Sequence, residues 1–235
     1  MSQNSQHTAG PSADSRKDTQ RLGIFGAGGH AKVVADIAES TGSFTVFAFY
    51  DDNESRHQSS FYGATIRGGQ PTFLTDLGEG VIDTAIIAVG NNGFRSKLGQ
   101  SIREQRLSLA TLVHPDAVIS PSASLASGTV VMAGVVVNAS TLVGHDVILN
   151  TGCTIDHDCF IGDGAHIAPG VSLCGGVSVG NRTLIGVGAS AKPSVSIGSS
   201  STIGAGSAVI EDIGDNMTAV GVPAKVISNK QKEQQ

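Results

Sequence analysis

The sequence predicts a mixed fold: a small N-terminal α/β domain with a half-Rossmann-like parallel sheet, followed by a left-handed parallel β-helix of hexapeptide repeats. Three observations predict it. An unbroken six-residue aliphatic period runs from Ile119 to Val209. Strand, glycine-turn and helix patterns alternate over residues 21–113. Aromatic residues are only 4% of the chain, Trp is absent and there are 31 glycines, a composition suited to many tight turns around small inward side chains.

The period decides the larger part. Taking every sixth residue from Ile119 gives sixteen positions, of which fifteen are Ile, Leu or Val and the other is Ala191. Two residues before each sits a small or β-branched residue, such as Val135, Cys153, Cys159, Ala165 or Thr183. An α-helix cannot keep residues six apart on one face over this length, and a flat strand of period two needs no turn every six residues. Short strands bent at fixed intervals satisfy both demands. Three hexads then form one 18-residue triangular coil, and successive coils stack at about 4.8 Å. Gly144, Gly162, Gly180 and Gly198 recur every 18 residues, as expected if one edge of the triangle requires glycine. Cys153 and Cys159 fall on the small inward positions, where a thiol behaves as a small hydrophobe. Cys174 follows inward Leu173. Three cysteines without CxxC spacing indicate neither a disulfide framework nor a zinc knuckle.

The front segment follows other rules. "RLGIFGAGGHAKVVADIAES" reads as strand, glycine turn and amphipathic helix; "FTVFAFYDD" as a second strand; "DTAIIAVGNNGFRSKLGQSIRE" as a third strand, a turn and a helix. Gly26-Ala27-Gly28-Gly29-His30-Ala31 nearly matches the phosphate-binding fingerprint, and Asp51 and Asp52 fall where a ribose-binding acid belongs. This short domain suits a nucleotide with one base, one ribose and a pyrophosphate better than a dinucleotide. A packing subdomain whose glycines merely make the turn is the other reading. Asn91, Asn92 and Arg95 are placed to touch phosphates, or else to cap a helix and carry a solvated charge.

Net charge is −5 with no basic stripe, which argues against a nucleic-acid polymer. No stretch approaches the length of a membrane span, and residues 1–20 lack the apolar core of a signal peptide. The expected organisation is a disordered tail over 1–20, a nucleotide-binding α/β domain over 21–113, a β-helix over 114–227 and a tail over 228–235, in a cytoplasmic protein.

Together "GAGGHAKVV", "FYDD", "IIAVGNNGFRSKL", "LVHPDAVISPSA", "VILNTGCTIDHDCFIGDGAHIAPGVSLCGGVSVG" and "GVPAKVI" carry a resemblance to bacterial sugar acyltransferases of the hexapeptide-repeat superfamily. Within them the chain most resembles acetyl-CoA-dependent N-acetyltransferases of nucleotide-linked 4-amino sugars, of the bacillosamine and perosamine type. Sialic acid O-acetyltransferases are a neighbouring branch. The resemblance covers residues 21–227. It implies a homotrimer, with a nucleotide sugar on the N-terminal domain and acetyl-CoA on the β-helix between subunits. It also implies His157 as general base, Asp158 raising its basicity, and His166, Val187 and Ala205 on the acetyl-CoA side. Gly28, Gly29, His30, Asp51, Asp52 and Gly90 match the family's substrate contacts, and no metal is implied.

The coil arithmetic adds its own expectations. His157 lies two residues past inward Ile155, so it belongs at a corner between Asp156 and Asp158. Gly175 is 18 residues on, at the same corner one coil along, where a bare backbone N–H can serve as an oxyanion donor. Val187 and Ala205 differ by 18 and stack along the axis, as a groove for an extended pantetheine arm requires. His157 and His166 are nine residues apart, half a coil, so one site using both draws them from different chains. Asn150 is read as a substrate-orienting residue or a ladder asparagine, His145 as structural, and Lys225 as a candidate for a CoA phosphate. Two other functions compete: O-acetylation of a free sugar such as sialic acid, which needs no phosphate turn, and zinc chemistry on His145, His157 and His166, whose spacings of 12 and 9 do not match the five-apart ligand pair expected.

Overall fold

A computed structural model describes residues 19–229. The front domain runs β1 (Gln20–Phe25), α1 (Gly29–Ser40), β2 (Phe44–Tyr50), β3 (Ser60–Phe61), β4 (Ala64–Gly68), α2 (Gln70–Gly78), β5 (Thr84–Ile87) and α3 (Asn92–Glu104). Its sheet order is β3-β4-β2-β1-β5, parallel except for the short hairpin of β3 with β4. The chain moves from β1 to β2 on one side and returns to place β5 on the other. The β1–β5 gap is therefore the switch point, where ligands of open α/β sheets bind beyond the carboxyl ends of the strands. The first strand–turn–helix unit and β5–α3 are as the sequence predicts. The β3–β4 hairpin and α2 are additions, built from a segment rich in Gly and polar residues that carries no clear period.

From β6 (Leu112–Val113) to β22 (Ala208–Val209) every strand is two residues long and the coil advances by three strands. The strands form three faces. The first holds β7 (Val118–Ile119), β10 (Val136–Val137), β13 (Thr154–Ile155), β16 (Ser172–Leu173), β19 (Ser190–Ala191) and β22. The second runs from β8 (Ser124–Leu125) to β20 (Ser196–Ile197), and the third from β6 to β21 (Thr202–Ile203). The third face is extended by β23 (Met217–Val220) and the antiparallel β24 (Lys225–Asn229). This is the left-handed parallel β-helix. The terminal tails expected over 1–20 and 228–235 lie outside the described residues apart from their inner ends: Gln20 opens β1, and Ser228 and Asn229 continue β24.

Each pairing joins residue i to residue i+18, for example Thr154 to Ser172 and His166 to Leu184. The aliphatic positions fill the shaft: Ile155, Ile161 and Ile167 are all 0% exposed. Thr129, Thr141 and Thr183 are buried at the small inward positions, and each hydroxyl both donates to a carbonyl of the next coil and accepts a backbone N–H there. Burial without a penalty requires such pairing. The glycine column on the edge between second and third faces also has a cause. A Cβ at Gly162 would lie 2.7 Å from the Asn181 nitrogen and 2.9 Å from the Gly180 carbonyl carbon, so only a bare backbone lets these coils stack.

The two domains are bolted together along that edge by α3. Arg95, Gly99 and Arg103 recur every four residues and so share one helix face. All three meet Asp146, which is 1% exposed. Arg103 forks onto its carboxylate at 3.0 and 2.7 Å, and a Cβ on Gly99 would strike it. Arg95 is 1% exposed and donates to the carbonyls of Asp146, Val89 and Gly164, each at 2.8 Å. Arg95 is thus neither a phosphate contact nor a solvated charge, because carbonyls of both domains saturate its guanidinium. Burial lowers its pKa to about 10, opposed by the charge of Asp146. Removing one partner of such a buried network costs about 3–5 kcal/mol. Asp146→Ala should therefore lose stability on that scale in urea denaturation; a change under about 1 kcal/mol would show that the bolt is not needed.

Candidate active site

His157 is presented by the corner after β13. Four successive corners of the first-to-second edge place their third residue in the left-handed region: Ser140, Asp158, Gly176 and Ser194 have φ of 60°, 58°, 72° and 61°. Aspartate tolerates that conformation better than most non-glycine residues. The corner is held from both neighbouring coils. The Thr141 hydroxyl donates to the Asp156 carbonyl at 2.7 Å, the Asp158 N–H to the Ala139 carbonyl at 2.9 Å, and the Gly176 N–H to the His157 carbonyl at 2.9 Å.

On this rigid turn the imidazole Nδ1 is 2.8 Å from Asp158 Oδ2. The aspartate is long enough to reach the ring. Its bond assigns the proton to Nδ1 and leaves Nε2 as a free acceptor. Asp158, with the nearby charge of Asp156 adding to it, holds His157 above the ordinary imidazole pKa. The ring lies over Gly175, where a Cβ would sit 2.5 Å from His157 Cε1 and 2.7 Å from Nε2. Among the described residues the Gly175 backbone N–H has no hydrogen-bond acceptor. A cavity of about 500 Å³ opens here, lined by Asp156, His157, Asp158, Cys174, Gly175, Gly176, Pro193 and Ser194. Cys174, unlike the buried Cys153 and Cys159, is exposed.

A second cavity of about 250 Å³ lies at the switch point of the front sheet, lined by Phe25, Gly26, Asp51, Asp52, Val89 and Phe94. Gly28 and Gly29 stand open at the N-terminus of α1, and Gly90 is open beside α3. Asp51 Oδ1 accepts the Asn53 N–H at 2.9 Å, and Asp52 Oδ1 accepts the Gln70 N–H at 2.8 Å, fixing the start of α2. Asn91 is the N-cap of α3, and Asn92 ties that helix to the Arg182 carbonyl.

The remaining histidines separate into two groups. His166, on β15 (His166–Ile167) of the third face, is not at the His157 corner. It pairs with Asn150 Nδ2 at 3.1 Å and lies within the fields of Arg95 and His30. His30 faces the same junction, and its Nε2 is buried with no partner among the described residues. Burial, followed by the Arg95 charge, pushes both imidazoles down to about 4, with His30 adding to the effect on His166. Sequence reading missed this cross-domain cluster, since nothing local joins residues 30, 95 and 166. His145 bonds Ser127, while its neighbour Asp146 turns inward to α3. Among the described residues no His, Cys, Asp and Glu side chains gather in a metal-holding group. Val187 and Ala205 are exposed and stacked, with the Gly206 N–H donating to the Val187 carbonyl. Lys225 is paired to Glu211 at 3.4 Å.

A glycine-turn α/β domain bolted to a β-helix with a carboxylate-flanked histidine over a glycine defines a class, the hexapeptide-repeat sugar acyltransferases. Residues 21–102 match the PglD N-terminal domain family. The chain is 40% identical to PerB, the perosamine N-acetyltransferase of Caulobacter crescentus, solved with CoA and GDP-perosamine, over 88% of this chain and 97% of that one, with a TM-score of 0.83. It is 39% identical to the acetyltransferase domain of PglB from Neisseria gonorrhoeae, solved with acetyl coenzyme A, covering 89% and 100% of the two chains at a TM-score of 0.82. UDP-N-acetylbacillosamine N-acetyltransferase of Bacillus subtilis is 38% identical over 110 residues, which is 46% of this chain and half of that relative's length. The chain belongs to the nucleotide-sugar N-acetyltransferase family.

The two depressed histidines carry a pH dependence. Each binds a proton near pH 6.5 when unfolded and only near 4 when folded, so acid favours the unfolded chain. Stability present above 6.5 should fall by a few kcal/mol as the pH drops toward 4. Urea midpoints across this range should fall less steeply in the His30→Gln/His166→Gln double variant; equal slopes would remove these two residues from the acid response.

Proposed function

We propose that the protein transfers the acetyl group of acetyl-CoA to the 4-amino group of a UDP- or GDP-linked amino sugar, in the cytoplasm, for bacterial glycan or O-antigen assembly. The observation that carries this reading is the His157 corner: Nδ1 held by Asp158, Nε2 free, and the ring seated on Gly175 with an open cavity beside it. The neutral amine attacks the thioester carbon. A C–N bond forms, the carbonyl electrons move onto oxygen, and His157 Nε2 takes the amine proton. Collapse of the tetrahedral species breaks the C–S bond and releases the CoA thiolate, which is then protonated. The Gly175 N–H is the donor for the oxyanion. Asp158 keeps the imidazole in the receptive tautomer and stabilises the imidazolium that forms.

The residue roles follow the same reading. Gly28, Gly29 and the N-terminus of α1 receive the sugar nucleotide's phosphates; Asp51, Asp52, Gly90 and His30 complete its site within the domain of residues 21–113. The β-helix of residues 114–227 carries CoA, with His166 on the acetyl side and the exposed Val187–Ala205 column as the track for the pantetheine arm. The relatives support these assignments through the ligands they hold, CoA with GDP-perosamine in one and acetyl coenzyme A in another.

The working unit is a homotrimer with sites between chains. His157 occupies the first-to-second corner, whereas His166 lies on the third face and the front-domain junction along the second-to-third edge. Leu142 and Phe160 leave 52% and 47% of their surfaces exposed, stacked in register on the second face next to the His157 corner. Apolar side chains in that position support its being covered by another copy. O-acetylation of a free sugar uses the same base but leaves the switch-point cavity without a ligand.

Thiol release from acetyl-CoA should occur with one member of a panel of UDP-, GDP- and dTDP-linked 4-amino sugars. It should fall about 10²–10⁴-fold in His157→Ala and about 10²-fold or more in Gly175→Ala, where the added methyl displaces the ring. Acetylation of free sugars alone would overturn the nucleotide-sugar reading, and equal rates for wild type and His157→Ala would place the base elsewhere.

A further inference from the structure

We propose that Asn138 and Asp156 are positioning residues for His157: Asn138 pins the Asp156 carboxylate against the His157 backbone, so that Asp156 acts on the imidazole by its charge and not by contact. This rests on the reading of His157 as the general base. The acid before the histidine is otherwise unassigned, since among the described residues Asp158 is the one that bonds the ring.

The two flanking carboxylates are held very differently. Asp158 Oδ2 accepts the hydrogen bond of the ring Nδ1–H. Asp156 Oδ1 instead accepts the His157 backbone N–H at 2.9 Å and the Asn138 side-chain amide at 3.1 Å. Asn138 stands one coil earlier in the same column, 18 residues back, and among the described residues its one other hydrogen bond is its backbone pairing with Ile155. Two donors on one oxygen leave the carboxylate little freedom to turn toward the ring. They also keep it ionised: the His157 N–H first, then Asn138, hold its pKa below the ordinary range. An unrestrained carboxylate here would compete with Asp158 for Nδ1–H or trap the incoming amine as an ammonium, which cannot attack.

The surroundings leave Asp156 and Asp158 as the charges that matter. From the preceding coil the corner meets Asn138, Ala139 and Ser140; from the following coils it meets Cys174, Gly175, Gly176, Pro193 and Ser194. The next cation in the Asp156 column is Lys192, two coils along and outside the cavity lining. A purely structural Asp156 would serve as well with an amide in place of the carboxylate, because Asn at 156 keeps an acceptor for both donors.

That difference supplies the test. Histidine-ring NMR on the whole protein, with the His157 signal assigned by its absence in His157→Ala, reads the titration directly. Removing the charge with Asp156→Asn should move the His157 midpoint to lower pH. The ratio of the rate at about pH 6 to that at about pH 8 should correspondingly rise about twofold or more over wild type. Asn138→Ala should lower kcat about tenfold with the KM for acetyl-CoA retained, because the misplacement acts on the base and not on binding. The same change in the Asp156→Asn background should cost less, since no carboxylate is left to restrain. An unmoved His157 titration in folded Asp156→Asn would overturn the proposal, as would equal costs of Asn138→Ala in both backgrounds. If wild type shows no His157-dependent transfer, the reading of the base fails, while the NMR titration still reports on Asp156.

Discussion

The pairing of residue i with residue i+18 is the constraint on which the site depends. In a globular enzyme, side chains from distant segments must be brought together by packing that can vary at each point. Here the hydrogen-bond ladder of the β-helix does it at about 4.8 Å per coil. Asn138, Asp156, Cys174 and Lys192 form one column; Ala139, His157, Gly175 and Pro193 form the next. His157, the glycine beneath its ring and the residue pinning the flanking acid are thus neighbours because of their spacing alone. The price of such rigidity is that an active-site residue cannot be adjusted without disturbing a corner, and the left-handed backbone at Asp158 shows how narrow the choice is.

The front domain is tied to this ruler by one polar helix face, beside the apolar packing of α1. Arg95, Gly99 and Arg103 read the edge of the β-helix through Asp146 and the Gly164 carbonyl, and burial at this seam, with the Arg95 charge adding to it, keeps His30 and His166 neutral. One buried guanidinium therefore joins the docking of the front domain to the charge balance of two buried histidines at the seam. A lysine could not reproduce this, because only the planar fork reaches acceptors on both sides at once.

The β-helix was legible nearly strand by strand, because its period is strict and its side chains face a shaft too narrow for ambiguity. The corner position of His157 and its closeness to Gly175 were legible for the same reason. The β3–β4 hairpin and α2 were not, since short strands with a glycine at each end and a helix opening on Gln-Pro carry too few periodic positions. Arg95 was misread because a charge on an amphipathic helix normally faces water, and its acceptors at Asp146 and Gly164 lie 51 and 69 residues away. Which oxygen of Asp156 meets which donor is likewise a matter of rotamers, which spacing does not specify.

The central claim is that one nucleotide sugar, held by the front domain of one chain, meets the His157 corner of another. Co-refolding two inactive variants tests it most directly: His157→Ala, with an intact front domain, and Gly28→Phe, which fills the phosphate turn but keeps the base. In an equal mixture about a quarter of the interchain sites combine an intact front domain with an intact base, so about a quarter of wild-type activity should return. No activity above that of the separate variants would contradict the account and place the base and its substrate within a single chain.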